Sequence, residues 1–155
     1  MSDADLHVAA NGGNAKAQLK LGETLGSRAV TDGEKLEAIG WIQKAALQGL
    51  PEAEYSMGVH YSDGQDVRQN FTEALKWLRL AAHDGNSEAE FRVSLAYAKG
   101  FGVTPNLNES TAWALTAAKH GNVHAQYNLG VAYRAGLGIQ KNYNESFRWC
   151  NQWVS

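Results

Sequence analysis

The stretch ALKWLRLAAHDGNSEA, residues 74–89, returns 36 positions later as STAWALTAAKHGNVHA (110–125) and 36 positions earlier as AIGWIQKAALQGLPEA (38–53). Trp41, Trp77, Trp113 and Trp149 mark the register, and the pairs Ala45/Ala46, Ala81/Ala82 and Ala117/Ala118 follow without an insertion. Gly49, Gly85 and Gly121 close each pass. Upstream, Ala17, Ala53, Ala89 and Ala125 share one column, while Gly22, Gly58 and Gly130 share another in which Ser94 is the one departure. A fixed period of this size marks supersecondary units that bury their apolar faces only by stacking on their neighbours. The repeats run at about 14–50, 51–86, 87–122 and 123–155, within a single domain spanning 1–155. Residues 1–13 end in LHVAANGG (6–13), which aligns with Ile42 through Gly49 and reads as a half-repeat that caps the first full one.

Inside a repeat the apolar spacing is helical. Ala53, Met57, Gly58 and Tyr61 fall on one face, and Ala74, Trp77, Leu78, Ala81 and Ala82 form a second stripe, which predicts two amphipathic helices, A and B. Gly64, Gly100 and Gly136 should end helix A and Gly49, Gly85 and Gly121 helix B, since glycine takes the left-handed terminating conformation freely. Asn70, Asn106 and Asn142 should start helix B, with Glu73, Glu109 and Glu145 reaching back as capping boxes. A glycine inside helix A costs about 1 kcal/mol relative to alanine. Its recurrence therefore implies close approach of another backbone. Each tryptophan should fill the gap between helices, so that Trp77→Ala or Trp113→Ala costs roughly 3–5 kcal/mol. Trp153 and Val154 stand where earlier repeats have the alanine pair and would cap the last apolar surface.

Composition agrees with helix: 23 alanines against 2 prolines favour an all-α chain. The net charge of −2 argues against nucleic acid, whose phosphates call for a basic patch. A lone cysteine, Cys150, makes no intrachain disulfide, so packing must hold the fold. No apolar run approaches a membrane span, and the acidic start MSDADLHVAA lacks the positive charge of a signal peptide. The expected location is cytoplasmic as the sequence is written, or periplasmic if it is part of a longer exported protein.

The helix A segment AQYNLGVAY (125–133), the turn GLGI (136–139) and the segment WLRLAA (77–82) together resemble the Sel-1-like repeat family, relatives of the tetratricopeptide repeats. The resemblance extends from about residue 6 to 154. It implies a right-handed α/α superhelix, a solenoid of about four helix-turn-helix repeats, whose A helices line a concave surface that holds protein or peptide partners. Within such a family, adaptor and immunity roles are both known. Cysteine-rich relatives carry a disulfide in each repeat, and this chain lacks those cysteines.

Other chemistry is thin. The Gly-x-Gly turns at 100–106 and 136–142 follow helices rather than the strand a nucleotide-binding loop requires, and read as turns. His120 and His124 have metal-ligand spacing, but Gly121 and Asn122 break the helix between them and no carboxylate or thiolate cluster lies near in sequence. His7, His60 and His83 are scattered and assigned to polar faces. Cys150, beside Trp149, reads as a buried, inert thiol. Asn70, Asn108 and Asn144 begin N-x-[ST] sequons that the starts of helix B explain. No cofactor and no metal are expected.

The functional candidate is the back of helix A. At ~100° per residue, Val59 falls nearly opposite the Ala53/Met57/Gly58/Tyr61 face, and Leu95 and Val131 occupy its column. Around them stand Tyr55, Asp63, Phe91, Arg92, Lys99, Tyr127, Asn128 and Arg134. Aromatics and arginines flanking an apolar stripe have the composition of binding hot spots. The competing reading is that Tyr55, Phe91 and Tyr127 pack between neighbouring A helices. The leading expectation is a non-enzymatic adaptor or scaffold that binds a protein or peptide there. An immunity or inhibitor protein that neutralises a secreted toxin is the alternative, and small-ligand hydrolysis at Cys150 or a histidine the weakest third.

Overall fold

The structure, a computed structural model, describes residues 2–153, with the side chain of Trp153 outside that description. The terminal cap expected from Trp153 and Val154 thus lies outside the described residues. Among them are nine α-helices and no strand: α1 Asp3–Asn11, α2 Ala15–Arg28, α3 Asp32–Ala46, α4 Pro51–Asp63, α5 Phe71–His83, α6 Ser87–Lys99, α7 Leu107–Lys119, α8 Val123–Ala135 and α9 Tyr143–Cys150. The chain is all-α and of the helical-repeat class, with α2, α4, α6 and α8 as A helices and α3, α5, α7 and α9 as B helices. None of the described helices is long and apolar enough to cross a membrane. The helices fall into two compact units, residues 1–81 and 82–155.

In the first unit, the half-repeat forms α1. Its Leu6 and Ala10 pack with Ala17 and Leu21 of α2, and Trp41 lies against the same cluster. The next layer joins Ile39, Ile42, Ala45 and Ala46 of α3 to Ala53 and Met57 of α4, with Trp77 against them. The alanine pair is the seat on which the following A helix rests, and Ala45 and Ala53 are wholly buried. Small side chains let the two backbones approach, and the larger Ile42 and Met57 fill what remains; each large side chain buried this way contributes about 1.5–3 kcal/mol.

The second unit repeats the arrangement. Ala117 and Ala118 of α7 meet Ala125 and Leu129 of α8, and Trp149 of α9 closes the cluster. Trp149 is buried, whereas Trp41, Trp77 and Trp113 are only half-buried. The expectation that every indole fills the gap between helices as core is met in full at Trp149, while Trp41 and Trp77 pack against the core with one side left open. Lys44 Nζ stands 3.9 Å from the centre of the Trp41 ring, covering with a cation what the core does not.

Helix ends follow local signals. Gly64, Gly100 and Gly136 end their A helices in the left-handed conformation, at φ 68°, 77° and 74°. Asn70, Asn106 and Asn142 accept hydrogen bonds from the first-turn amides of α5, α7 and α9. The capping boxes expected there do not form. The N–H of each asparagine already donates to the carbonyl of Tyr61, Tyr97 or Tyr133 at 2.9 Å, so no donor is left for a glutamate. Glu73 and Glu145 pair with Lys76 and Arg148 instead. Boxes form where that N–H is available, at Ser2/Asp5 and Thr31/Glu34. The hydrogen bonds from Ser2 hold the Asp5 carboxyl below its ordinary range, and those from Thr31 and Val30 do the same for Glu34.

The close backbone approach expected at the glycine column inside helix A is met at Gly22, and at Gly22, Gly58 and Gly130 a side chain of helix B also comes in. A Cβ on Gly22 would stand 2.5 Å from Ile42 Cγ1 and 2.7 Å from the Ala38 carbonyl, and one on Gly58 would stand 2.6 Å from Leu78 Cγ. At Gly130 it would collide with Cys150 Sγ. Each glycine is thus a socket for a side chain of the paired helix B. Cys150 is exposed overall while its sulfur faces that socket, which corrects the reading of a buried thiol.

Candidate functional site

The third repeat departs from the socket pattern at both of its members. Ser94 replaces the glycine, and Ala114 occupies the column held elsewhere by Ile42, Leu78 and Cys150. The exchange is complementary: a side chain gained on α6 is matched by one shortened on α7. Ser94 Oγ lies 3.3 Å from Ser110 Oγ, and both residues are buried. Beside them opens a cavity of about 190 Å³, shared by α6, α7, α8 and the loop after α8.

Leu95, Asn128 and Val131, which the sequence places on the back of helix A, line this cavity together with Leu107, Thr111 and Leu137. The loop is fixed closely to α7. Gly138, at φ 65°, leaves no room for a Cβ against the Leu107 carbonyl, and Thr111 Oγ1 donates to the Leu137 carbonyl at 2.9 Å. Leu107 is 50%, Leu137 44% and Val131 39% exposed, so the rim is apolar and open to solvent.

The other candidates are distributed as follows. In the first unit, Tyr55 and Val59 are half-buried on α4 and Asp63 is exposed, where it accepts a hydrogen bond from Ser62 Oγ. In the second unit, Arg92 is half-buried and Lys99, Tyr127 and Arg134 are exposed. Phe91 packs against the Ala117–Trp149 cluster and stacks on His124, with ring centres 5.8 Å apart. For Phe91 the packing role is therefore real, whatever else it touches. Leu107, Thr111 and Leu137 went unpredicted. The available signal was the coincidence of Ser94 with Ala114, two departures 20 positions apart in separate columns.

A buried polar pair also escaped the sequence reading. Glu90, 1% exposed, accepts hydrogen bonds from His120 Nδ1 at 2.9 Å on both carboxylate oxygens. The equivalent residues Gln18 and Gln126 donate to the carbonyls of Ala10 and Ala118 at the end of the preceding B helix. Glu90 meets the His120 ring in place of that carbonyl contact. Among the described residues, no group of three or more His, Cys, Asp or Glu side chains is arranged to hold a metal ion.

Comparison with known proteins gives the same repeat. The Sel1 repeat model matches residues 15–50, 51–86, 87–122 and 123–154. A protective antigen present in uropathogenic Escherichia coli strains, which displays an SLR fold, is 32% identical over 99% of this chain with a TM-score of 0.93. A Sel1 repeat protein from Oxalobacter formigenes is 30% identical over 96% of the chain, TM-score 0.85. The chain spans 33% of the former and 59% of the latter. Cysteine-rich protein B of Helicobacter pylori shares the fold at 20% identity and TM-score 0.60, over 78% of this chain and 92% of its own. No curated protein sequence matches.

Proposed function

The chain belongs to the Sel1 repeat family, and on that premise we propose that it is a non-enzymatic adaptor or scaffold gripping a protein or peptide partner on the backs of its A helices. Members of the family are in general protein–protein interaction modules. The observation that carries the reading for this chain is the apolar rim of Val131, Leu107 and Leu137, left open to solvent beside Leu95. These residues contribute little to the alanine-lined helix seats, so their cost in water is offset only when something covers them. Val131 and Leu107 stand on helices and Leu137 on a loop tied to α7 through Thr111, which lowers the ordering cost of association.

The test is capture of a partner from the source cells, followed by mass spectrometry, with the intact protein and with Leu95→Asp and Arg134→Glu. Both substitutions should abolish capture and leave the helical melting curve in place. Capture that survives them would move the binding surface elsewhere.

A further inference from the structure

We propose that the cavity of the third repeat receives an aliphatic side chain from an acidic peptide, an inference that rests on the binding role assigned above and specifies its partner. Two observations carry it. The first is the cavity itself. In the second repeat, Leu78 fills the socket opposite Gly58; in the third, Ala114 ends at its Cβ, and the cavity lies beside it, bounded by Leu95, Val131 and Leu137. A partner's leucine is the side chain the repeat itself uses at that position in its second copy.

The second observation is charge. Residues 91–107 and 123–143, which supply most of the walls, contain Arg92, Lys99, Arg134 and Lys141 and no aspartate or glutamate, although the whole chain carries a net charge of −2. Lys99 follows Leu95 by four positions and Arg134 follows Val131 by three, so each stands one turn further along the same face. The acids of α6 and α8 are confined to the first turn of α6. There Glu90 is taken by His120 and Glu88 accepts from Asn122 Nδ2 at 2.8 Å. Lys99 and Arg134 thus flank the apolar rim with positive charge, and a partner with carboxylates beside its apolar anchor meets complementary charge.

The experiment uses the intact protein and the labelled peptide Glu-Asp-Glu-Leu-Asp-Glu, with versions carrying alanine for the leucine or lysine for every acid, read by fluorescence anisotropy. The leucine peptide should bind about tenfold or more tightly than its alanine version, in line with what an aliphatic anchor is worth in a pocket, and the lysine version should not bind. Ser94→Gly with Ala114→Leu rebuilds the Gly58/Leu78 pairing inside the third repeat and should erase the leucine advantage. Lys99→Glu with Arg134→Glu leaves the cavity intact and should reverse the preference between acidic and basic peptides. Equal binding of the leucine and alanine peptides, equal binding of the acidic and basic peptides, or an unchanged preference in the refilled variant would each overturn the proposal. If the peptides fail while Leu95→Asp still abolishes capture of the natural partner, the anchor inference falls and the binding surface stands. If the peptides behave as expected but Leu95→Asp leaves natural capture intact, the broader reading falls instead.

Discussion

At the same position of the repeat, the second copy places a leucine and the third a cavity. Leu78 of α5 is 4% exposed and sits opposite Gly58; Ala114 of α7 is equally buried, but its neighbour on α6 is Ser94, and both line a cavity. Both solutions satisfy the helix pair, because a socket can be emptied from either side provided its partner changes in step. The difference teaches that in the third repeat a pocket accompanies the joint exchange of the glycine and its partner.

Three substitutions probe that contrast. Leu78→Ala should be the most damaging, at about 2–5 kcal/mol in a denaturant midpoint, because it imitates Ala114 without the serine that accompanies it. A loss near zero would mean that the socket is not filled by Leu78 at all. Gly58→Ser should cost less, roughly 1–3 kcal/mol from overpacking, and combining it with Leu78→Ala should give a double variant more stable than the two single losses predict by addition. Additivity in that cycle would show that the columns are independent. The smallest effect belongs to Ser94→Ala, about 1 kcal/mol for one buried hydroxyl pair, with peptide binding unchanged because the cavity keeps its shape. A large loss of binding there would assign the hydroxyls a direct role.

The tryptophans teach a related point. The regular spacing of Trp41, Trp77, Trp113 and Trp149 suggests equal burial, yet of these four Trp149 alone is buried, and Lys44 stands over the Trp41 ring. Spacing fixes which side of a helix a residue occupies and leaves open how much the neighbouring layer covers it.

The sequence by itself determined the repeat length, the two helices of each repeat, the alanine seats and the residues that start and stop the helices, because those signals act within a turn or two of their own backbone. It also placed Leu95, Asn128 and Val131 on one face by helical periodicity. Only the tertiary structure decided the distant pairings: Leu137 against Thr111, Ser94 against Ser110, and His120 on Glu90, pairs 26, 16 and 30 residues apart. It likewise decided that the asparagine caps give their own N–H to a tyrosine carbonyl and so exclude the capping box. Such outcomes depend on which donor or volume a distant segment has already claimed, and no local pattern carries that information.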